Sequence, residues 1–480
     1  MSNSQTAPKV VFKGANLVPM LISIALGLLI WFSPAPTGIN PKAWNILAIF
    51  VALIVGLIGK ALPMGGMSFL ALTTLVITHS LTLKEALSGF SNPIIWLVVA
   101  AFLISRSFIK TRLGMRIAYL FVGLLGKKTL GLGYGIAATE LLLAPAIPSN
   151  TARAGGIIFP IVRALAVNFG SSPERHSQRL MGGFLILVGY YSNLITSAMF
   201  ITAMAANPLI AAIISDAGLT ISWGKWALAA SVPGILSLLV MPYIVYKLYP
   251  PEIKDSPEAK EIAKKHLDEM GPLSKYEWIT LAVFVLLIAL WIFGEHFFGL
   301  ESTTVALLGV CLLMLTGVLT WEDIKKEYEA WDTLIWFATL VMIASYLNAF
   351  GLFTWFSGHV HFLMSDFSWW VAAPLLIALY FYSHYLFASN TAHVTSLLAA
   401  FLGVGIALGT PPYLMALSLA FCSSLFACLT HYGTGCSPIL FGSEYVNLKT
   451  WWKMGFVMSV VFLGIWVGIG SLWWKVLGLW

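Results

Sequence analysis

Two copies of the tetrapeptide Ser-Asn-Thr-Ala carry the residue types best suited to chemistry in this chain, at Ser149–Ala152 and Ser389–Ala392. The copies lie 240 positions apart, and each interrupts a long apolar stretch. The Ser and Asn side chains can cap the helix that follows, while the first free amides of that helix point outward from its positive dipole end. One copy alone would predict an ordinary helix cap. Two copies at a matched spacing favour a site for an anion with two separated negative groups, particularly carboxylates.

The residue that follows each copy is a potential cation, Arg153 in the first and His393 in the second. A buried Arg is costly in a membrane, so it normally has a partner and a purpose. Two interpretations of Arg153 stay open, because it either serves the anion or pairs permanently with Glu140, the lone acid in the preceding apolar segment. His393 is likewise either a cation beside the site or a neutral, hydrogen-bonded helix residue.

A break in a later apolar span is predicted where Gly433-Thr434-Gly435 is followed by Pro438. Unwound backbone there would offer carbonyl groups and the Thr434 hydroxyl to a substrate. The segment from Ala203 to Pro208 holds the corresponding place in the first half, with a weaker polar signal. His384 and His431 are expected to be packing residues or to lie behind the site.

Composition excludes an ordinary soluble protein. Of 480 residues, 59% are hydrophobic and 10% are charged, against about 45–50% and about 25% in soluble domains. Residues 367–443 contain no Asp, Glu, Lys or Arg, and this run is far longer than the roughly 20 residues that one membrane helix needs. The net charge of +7 is concentrated in a few connections, which favours basic loops of a membrane protein over nucleic-acid binding.

The apolar windows predict eleven membrane spans in an all-α polytopic fold. They lie near 16–33, 43–60, 66–81, 93–109, 180–200, 224–247, 276–295, 302–319, 332–350, 413–431 and 454–473. Two further stretches, 129–168 and 367–408, are each interrupted by a Ser-Asn-Thr cluster and are predicted to be re-entrant helical hairpins. The Lys/Glu-rich stretch 248–275 is predicted to be a solvated connector.

Orientation follows from the distribution of positive charge. With the N-terminus in the cytoplasm and both interrupted stretches returning to their own sides, 22 Lys and Arg residues lie inside, four lie outside, and Arg153 lies in the membrane. This bias agrees with the positive-inside rule. Reading the interrupted stretches as full spans would weaken it, so the count supports the hairpins.

The two halves of the chain resemble each other. Leu81-Thr82 before one span echoes Leu319-Thr320 before another, and Ile95-Trp96 recurs 240 positions later. Five spans and one hairpin in each unit place the second unit upside down, as in secondary transporters with inverted repeats and a midplane site. The predicted units are 1–128 and 276–366 as scaffold, 129–223 and 367–480 as transport domain, and 224–275 as connecting span and cytoplasmic linker.

Together the paired tips, the inverted repeat and the Thr434–Pro438 break resemble the divalent-anion/sodium symporter family of di- and tricarboxylate carriers. The resemblance implies a homodimer in membrane lipid, a scaffold and a mobile transport domain, and an elevator-type movement. It also implies substrate-binding roles for Ser149, Asn150, Thr151, Ser389, Asn390, Thr391 and Thr434.

One departure points to a particular branch of this family. Sodium-coupled members typically carry a small uncharged residue after Ser-Asn-Thr-Ala, whereas this chain carries Arg153 and His393. It therefore looks like the exchanger branch of citrate/succinate antiporters and plastid 2-oxoglutarate/malate translocators, with fixed cations in place of sodium. We expect no sodium, other cofactor or metal. No transit peptide is visible, which favours a bacterial cytoplasmic membrane.

The expected function is sodium-independent exchange of dicarboxylates, because uncompensated charge on Arg153 and His393 would hinder movement of the empty carrier. The alternative is a sodium-coupled di/tricarboxylate symporter. An enzyme is not expected, since the spans lack paired acids, a metal-ligand cluster and an activated nucleophile. Succinate, malate, 2-oxoglutarate, tartrate and citrate all remain candidate substrates.

Overall fold

The computed structural model describes residues 14–352, Trp355 and 368–480. Lys9 and Lys13, which the charge count places inside, and the predicted boundary near 366 lie outside these residues. Within the described chain the regular elements are helices, and β pairing is limited to an isolated bridge between Lys128 and Asp255. The all-helical fold class is therefore confirmed.

The α-helices follow the apolar segments and the short polar connections between them. They are Leu17–Phe32, Pro41–Ile58, Met64–Ile77, Leu83–Ala86, Pro93–Thr111, Leu113–Leu125, Thr129–Leu143, Asn150–Arg153, Phe159–Asn168, Gly182–Met199, Ala206–Asp216, Trp223–Leu248, Glu258–Met270, Lys275–Phe298, Ser302–Leu315, Trp321–Lys325, Tyr328–Ala349, Trp369–Tyr382, Asn390–Ala407, Pro412–Leu425, Ser437–Phe441, Leu448–Leu463 and Gly470–Val476. Short 3₁₀ turns (Ser88–Ser91, Ile201–Ala203, Ser383–Leu386, Phe426–Leu429) and π segments (Ala154–Ile158, Gly464–Ile469) connect several of them.

Eight helices of the described chain are long and apolar enough to cross a membrane. Seven of them coincide with predicted spans, and the eighth, Asn390–Ala407, is the second arm of the second predicted hairpin. The other four predicted spans also fall on helices, namely Leu17–Phe32, Met64–Ile77, Gly182–Met199 and Ser302–Leu315. The chain is a multi-pass membrane protein.

Both interrupted stretches fold as two helices that meet at a Ser-Asn-Thr tip. In the first, Thr129–Leu143 approaches the tip, and the chain then continues as one helix from Asn150 through the π segment to Asn168. In the second, Trp369–Tyr382 and Asn390–Ala407 are the two arms. Gly189 of the helix Gly182–Met199 faces both arms of the first interrupted stretch. A Cβ on Gly189 would stand 3.1 Å from Ile158 and 3.8 Å from Ile136.

The helix Leu113–Leu125 is an element that the hydropathy pattern did not predict. It packs against Glu258–Met270 of the connector, where the rings of Tyr119 and His266 stack at 4.6 Å. Arg116 anchors the contact through a 2.6 Å ion pair with Glu277 and a 2.9 Å hydrogen bond to the carbonyl of Gly271. The connector therefore contains the helix Glu258–Met270, and it is fixed to the helices beside it.

The Arg116–Glu277 pair predicts a stability effect. Its side chains are only 8% and 4% exposed, and removing one partner of a buried pair costs about 3–5 kcal/mol because the other charge stays buried. We expect Glu277→Gln to lower the apparent melting temperature of the detergent-purified protein by at least about 3 °C. Tryptophan fluorescence during heating measures this shift. The exposed Glu295 near the other end of the same helix is the control, and equal shifts for Glu295→Gln and Glu277→Gln would contradict the assignment.

Candidate substrate site

Both Ser-Asn-Thr tips line one cavity of about 370 Å³. The cavity also receives residues from the first-half break, from the Thr434 break and from two further helices. Its lining consists of Phe102, Pro148, Ser149, Asn150, Thr151, Met204, Ala205, Ala206, Glu329, Asp332, Thr333, Ala388, Ser389, Asn390, Thr391, Thr434 and Gly435. All seven substrate-binding candidates from the sequence therefore lie together, although 241 positions separate Ser149 from Asn390.

The first tip is held by a cap and by a contact with the second half of the chain. The Ser149 hydroxyl accepts a hydrogen bond from the Ala152 amide at 3.1 Å. The Asn150 amide group donates to the Thr434 hydroxyl at 2.9 Å. Asn193, on the helix Gly182–Met199, donates to the Asn150 carbonyl at 3.1 Å. Asn150 and Thr151 line the cavity, and their backbone amides, the first of the helix, have no intrahelical carbonyl partner.

The second tip has the same form with different partners. Ser389 accepts from the Ala392 amide at 3.4 Å. The Asn390 side chain donates to the Ser423 carbonyl at 3.0 Å and to the Met204 sulfur at 3.3 Å. Its side-chain oxygen is buried and has no hydrogen-bond partner among the described residues. Thr391 lines the cavity beside it.

Arg153 lies behind the first tip and does not line the cavity. Its side chain is fully buried and forms a 2.9 Å ion pair with Glu140. The same guanidinium donates to the carbonyls of Ile147 and Ala203 and, at 2.6 Å, to the Ser197 hydroxyl. The alternative left open by the sequence is thus resolved in favour of a pair with Glu140. The expectation that Arg153 leaves an uncompensated charge in the empty site is wrong, because Glu140 neutralises it.

His393 occupies the matching position behind the second tip. Its side chain is buried among aromatic rings, including Tyr380 and Phe426. The Ser383 hydroxyl donates to the Tyr380 carbonyl at 2.8 Å, so it accepts from His393 Nε2 at 2.8 Å. His393 Nδ1 is buried without a partner among the described residues. A single ring proton, on Nε2, is enough for this hydrogen bond, and such a ring is neutral.

The other two histidines in the charge-free stretch are structural in this geometry. His384 bonds the Gly433 carbonyl through Nε2 at 2.8 Å, so it braces the Thr434 break from behind. His431 accepts from the indole N–H of Trp452 at 3.2 Å. Neither lines the cavity.

Two acids that the sequence analysis missed face the tips. Glu329 and Asp332 lie one turn apart at the start of Tyr328–Ala349 and line the cavity. The predicted span began at 332, so Glu329 was left in the connection. The signal in the sequence was Asp332, because an acid inside a predicted membrane span is rare and indicates a functional site.

Comparison with known proteins places the chain in a family. The family described as the sodium:sulfate symporter transmembrane region matches residues 14–480. The chain belongs to this family. It is the divalent-anion/sodium symporter family that the tips and the break predicted. The protein is accordingly a transporter and not an enzyme.

Individual relatives cover almost the whole chain. It is 56% identical over 466 residues to YflS of Bacillus subtilis (strain 168), whose name refers to malate transport, with 97% of each chain covered. It is 48% identical over 472 residues to the chloroplastic dicarboxylate transporter 1 of Spinacia oleracea, covering 98% of this chain and 83% of that one. The crystal structure of the Alcanivorax borkumensis YdaH transporter matches with a TM-score of 0.57 at 14% identity, covering 96% and 97% of the two chains. That last likeness supports the fold alone.

The contact between Thr151 and Gly435 gives a test of the site. A Cβ on Gly435 would collide with the Thr151 hydroxyl, so Gly435→Ala must push that hydroxyl out of position. Loss of a hydrogen bond to a charged group is worth about 1.5–3 kcal/mol, which corresponds to at least about a tenfold weaker half-saturation for transported anion. Uptake kinetics in proteoliposomes measure this. Gly156→Ala is the control, since a Cβ there meets no atom within 4 Å; equal behaviour of the two variants would remove Thr151 from the site.

Proposed function

We propose that this protein exchanges dicarboxylates across a membrane without sodium, as a secondary active transporter with an elevator-type movement. The observation that carries the proposal is the convergence of both Ser-Asn-Thr tips and Thr434 on one cavity. Two helix N-termini that face a common space suit an anion with a carboxylate at each end. The names of the relatives, which refer to malate and dicarboxylates, support C4 and C5 dicarboxylates as substrates, and citrate carries the same pair of groups.

Contacts around the cavity support an inverted repeat. Asn150 of the first tip bonds Thr434, and Asn390 of the second tip bonds Met204. The two tips are 240 positions apart and the two break residues are 230 apart, so each tip reaches the break of the other half. Such reciprocal contacts are expected when two similar units are related by a pseudo-two-fold axis.

Arg153 supports sodium independence. Its guanidinium is surrounded by the Glu140 carboxylate, the Ser197 hydroxyl and the carbonyls of Ile147 and Ala203. Carboxylate, hydroxyl and carbonyl oxygens are the ligands that hard metal cations use. We propose that Arg153 is a built-in cation in a place where sodium would otherwise be needed. His393 holds the equivalent place in the second half, and a charge there would require protonation of Nδ1.

The moving unit in this proposal contains both hairpins, both broken helices and also Trp223–Leu248. The sequence assigned that helix to the connection between units. However, three indole N–H groups tie it to predicted transport-domain segments: Trp226 donates to the Ala198 carbonyl, Trp466 to the Ser237 hydroxyl and Trp474 to the Ala229 carbonyl, each at 2.9 Å. The remaining spans form the scaffold. We propose that the protein is a homodimer whose scaffold stays fixed in the membrane while the moving unit shifts.

The site is proposed to face the cytoplasm in this structure. A second cavity of about 700 Å³ extends from Ser389 and Thr391 to Asn16 and Lys60. The charge count places Lys60 and the N-terminus on the cytoplasmic side of a bacterial cytoplasmic membrane. The Tyr328 end of Tyr328–Ala349, beside the first tip, is predicted to lie on that side too. An inward-facing state, in which the substrate site is open to the cytoplasm, accounts for the positions of both cavities.

Transport in proteoliposomes tests the function. We expect uptake of labelled succinate to require an internal dicarboxylate and to proceed equally in sodium, potassium and choline buffers. An imposed membrane potential should have little effect, because a dianion is exchanged for a dianion. Sodium-driven uptake into vesicles without internal dicarboxylate would show the alternative, a symporter. Failure of succinate, malate, 2-oxoglutarate and citrate to exchange would contradict the proposed substrate class.

Replacement of the built-in cation tests sodium independence. In Arg153→Ala, Glu140 would remain buried without its partner, so we expect exchange in choline buffer to fall at least tenfold, an effect of about 1.4 kcal/mol or more. Sodium should restore part of the rate, since the oxygen ligands remain. Exchange assays in the two buffers measure this, with Arg163→Ala, on the exposed side of the same helix, as control. If Arg153→Ala exchanged dicarboxylate in choline buffer at the wild-type rate, the proposed role of Arg153 would be wrong.

A further inference from the structure

We propose that Asn193 is a positioning residue for substrate binding. It holds and polarises the peptide group between Asn150 and Thr151, whose N–H then binds a substrate carboxylate at the first tip. The inference rests on the proposed function and extends it to a residue outside the cavity, because Asn193 is not part of the cavity lining. Asn193 acts on the substrate only through the tip.

Three hydrogen bonds hold the Asn193 side chain. It lies in the middle of the helix Gly182–Met199 and is fully buried. Its amide nitrogen donates to the Glu140 carboxylate at 3.0 Å and to the Asn150 carbonyl at 3.1 Å. Its amide oxygen accepts from the Cys436 thiol at 3.5 Å. A carboxylate and a carbonyl both need a donor, so the amide group satisfies them in this orientation and not in the flipped one.

The bond to the Asn150 carbonyl acts on the N–H of Thr151. This carbonyl and this N–H belong to one planar trans peptide group, so they point in opposite directions. A hydrogen bond at the carbonyl polarises the group and makes its N–H a stronger donor. The Thr151 N–H has no intrahelical carbonyl partner, and Thr151 lines the cavity. Asn193 therefore fixes the direction of a donor that the tip offers to an anion and increases its strength.

The buried ion pair anchors Asn193 on the side away from the tip. One oxygen of the Glu140 carboxylate accepts from Asn193, and the other accepts from the guanidinium of Arg153. Hydrogen bonds to a charged acceptor are roughly twice as strong as bonds between neutral groups. The amide group is thus fixed by the carboxylate before it reaches the tip. Through this connection the ion pair contributes to substrate binding, although Arg153 does not line the cavity.

Comparison of the two halves separates this role from a role in folding. The break residues of the halves are 230 positions apart, and the same spacing makes Ser423 the counterpart of Asn193. The Ser423 hydroxyl donates within its own helix, so it accepts from Tyr380. Tyr380 in turn follows Glu140 by 240 positions. The second half therefore keeps the contact with the first arm but has a serine where the first half has an amide, so the fold does not require the amide.

Exchange kinetics of Asn193→Ser test the proposal, because this variant gives the first half the residue that the second half carries. Uptake of labelled succinate into proteoliposomes that contain succinate is measured over a range of external concentrations. We expect the half-saturation concentration to rise at least about fivefold, equivalent to about 1 kcal/mol, because the tip loses a fixed and polarised donor. The maximal rate should change less than about twofold, which separates weaker binding from slower movement. Asn193→Ala should behave in the same way.

Thr196→Val is the matched control. The Thr196 hydroxyl also donates to the Glu140 carboxylate, at 3.2 Å, so the variant weakens the same carboxylate contact while the bond from Asn193 to the tip remains. We expect its half-saturation to stay within about twofold of the wild-type value. An equal rise for Thr196→Val and Asn193→Ser would assign the effect to the ion pair and overturn the role of Asn193.

Three other results also decide the question. Wild-type half-saturation in both Asn193→Ser and Asn193→Ala would show that the tip does not need this amide. A lower maximal rate at unchanged half-saturation, or loss of the unfolding transition of Asn193→Ser in tryptophan fluorescence, would show a purely structural role and overturn the proposal. Absence of dicarboxylate exchange by the wild-type protein would instead contradict the proposed function.

Discussion

The buried guanidinium of Arg153 is the interaction on which the rest of the structure depends. It binds Glu140 in the first hairpin arm, the carbonyl of Ile147 before the tip, the Ser197 hydroxyl and the carbonyl of Ala203 at the break. Irregular backbone at membrane depth is stable only when its polar groups are satisfied within the protein. One side chain meets that requirement in two irregular segments, at the carbonyls of Ile147 and Ala203, and ties both to the helices that carry Glu140 and Ser197. The shape of the first tip, and the proposal that sodium is not needed there, both follow from this buried pair.

The second half meets the same requirement without a charge. His393 stands where Arg153 stands in the first half, but its ring bonds a hydroxyl and packs among Tyr380 and Phe426. Tyr380, 240 positions after Glu140, bonds the Ser423 hydroxyl at 2.8 Å. Neutral hydrogen bonds and ring contacts are individually weaker than charge-assisted ones. The two tips thus present similar capping groups to the cavity but rest on different supports.

Local sequence patterns predicted the helices, the two broken stretches and the residues at their tips, because hydropathy and capping chemistry act over a few residues. The pairing of Arg153 could not be decided in that way, since it depends on how hairpin arms pack against Gly182–Met199. Glu329 was missed for a related reason. Its helix begins four residues before the apolar window, where Tyr328 and neighbouring acids lower the hydropathy but the cavity still accepts a carboxylate. The helix Leu113–Leu125 is apolar but only 13 residues long, so it is shorter than the roughly 20 residues by which a membrane span is recognised.

Equilibrium binding tests the central claim, that one dicarboxylate is held between the two tips, most directly. Labelled succinate would be titrated onto the detergent-purified protein in sodium-free buffer, together with Thr151→Val and Thr391→Val, which remove one hydroxyl from each tip at nearly constant volume. The account predicts one succinate per chain and at least tenfold weaker binding for either variant. Two succinates per chain, or binding that depends on only one tip, would contradict it.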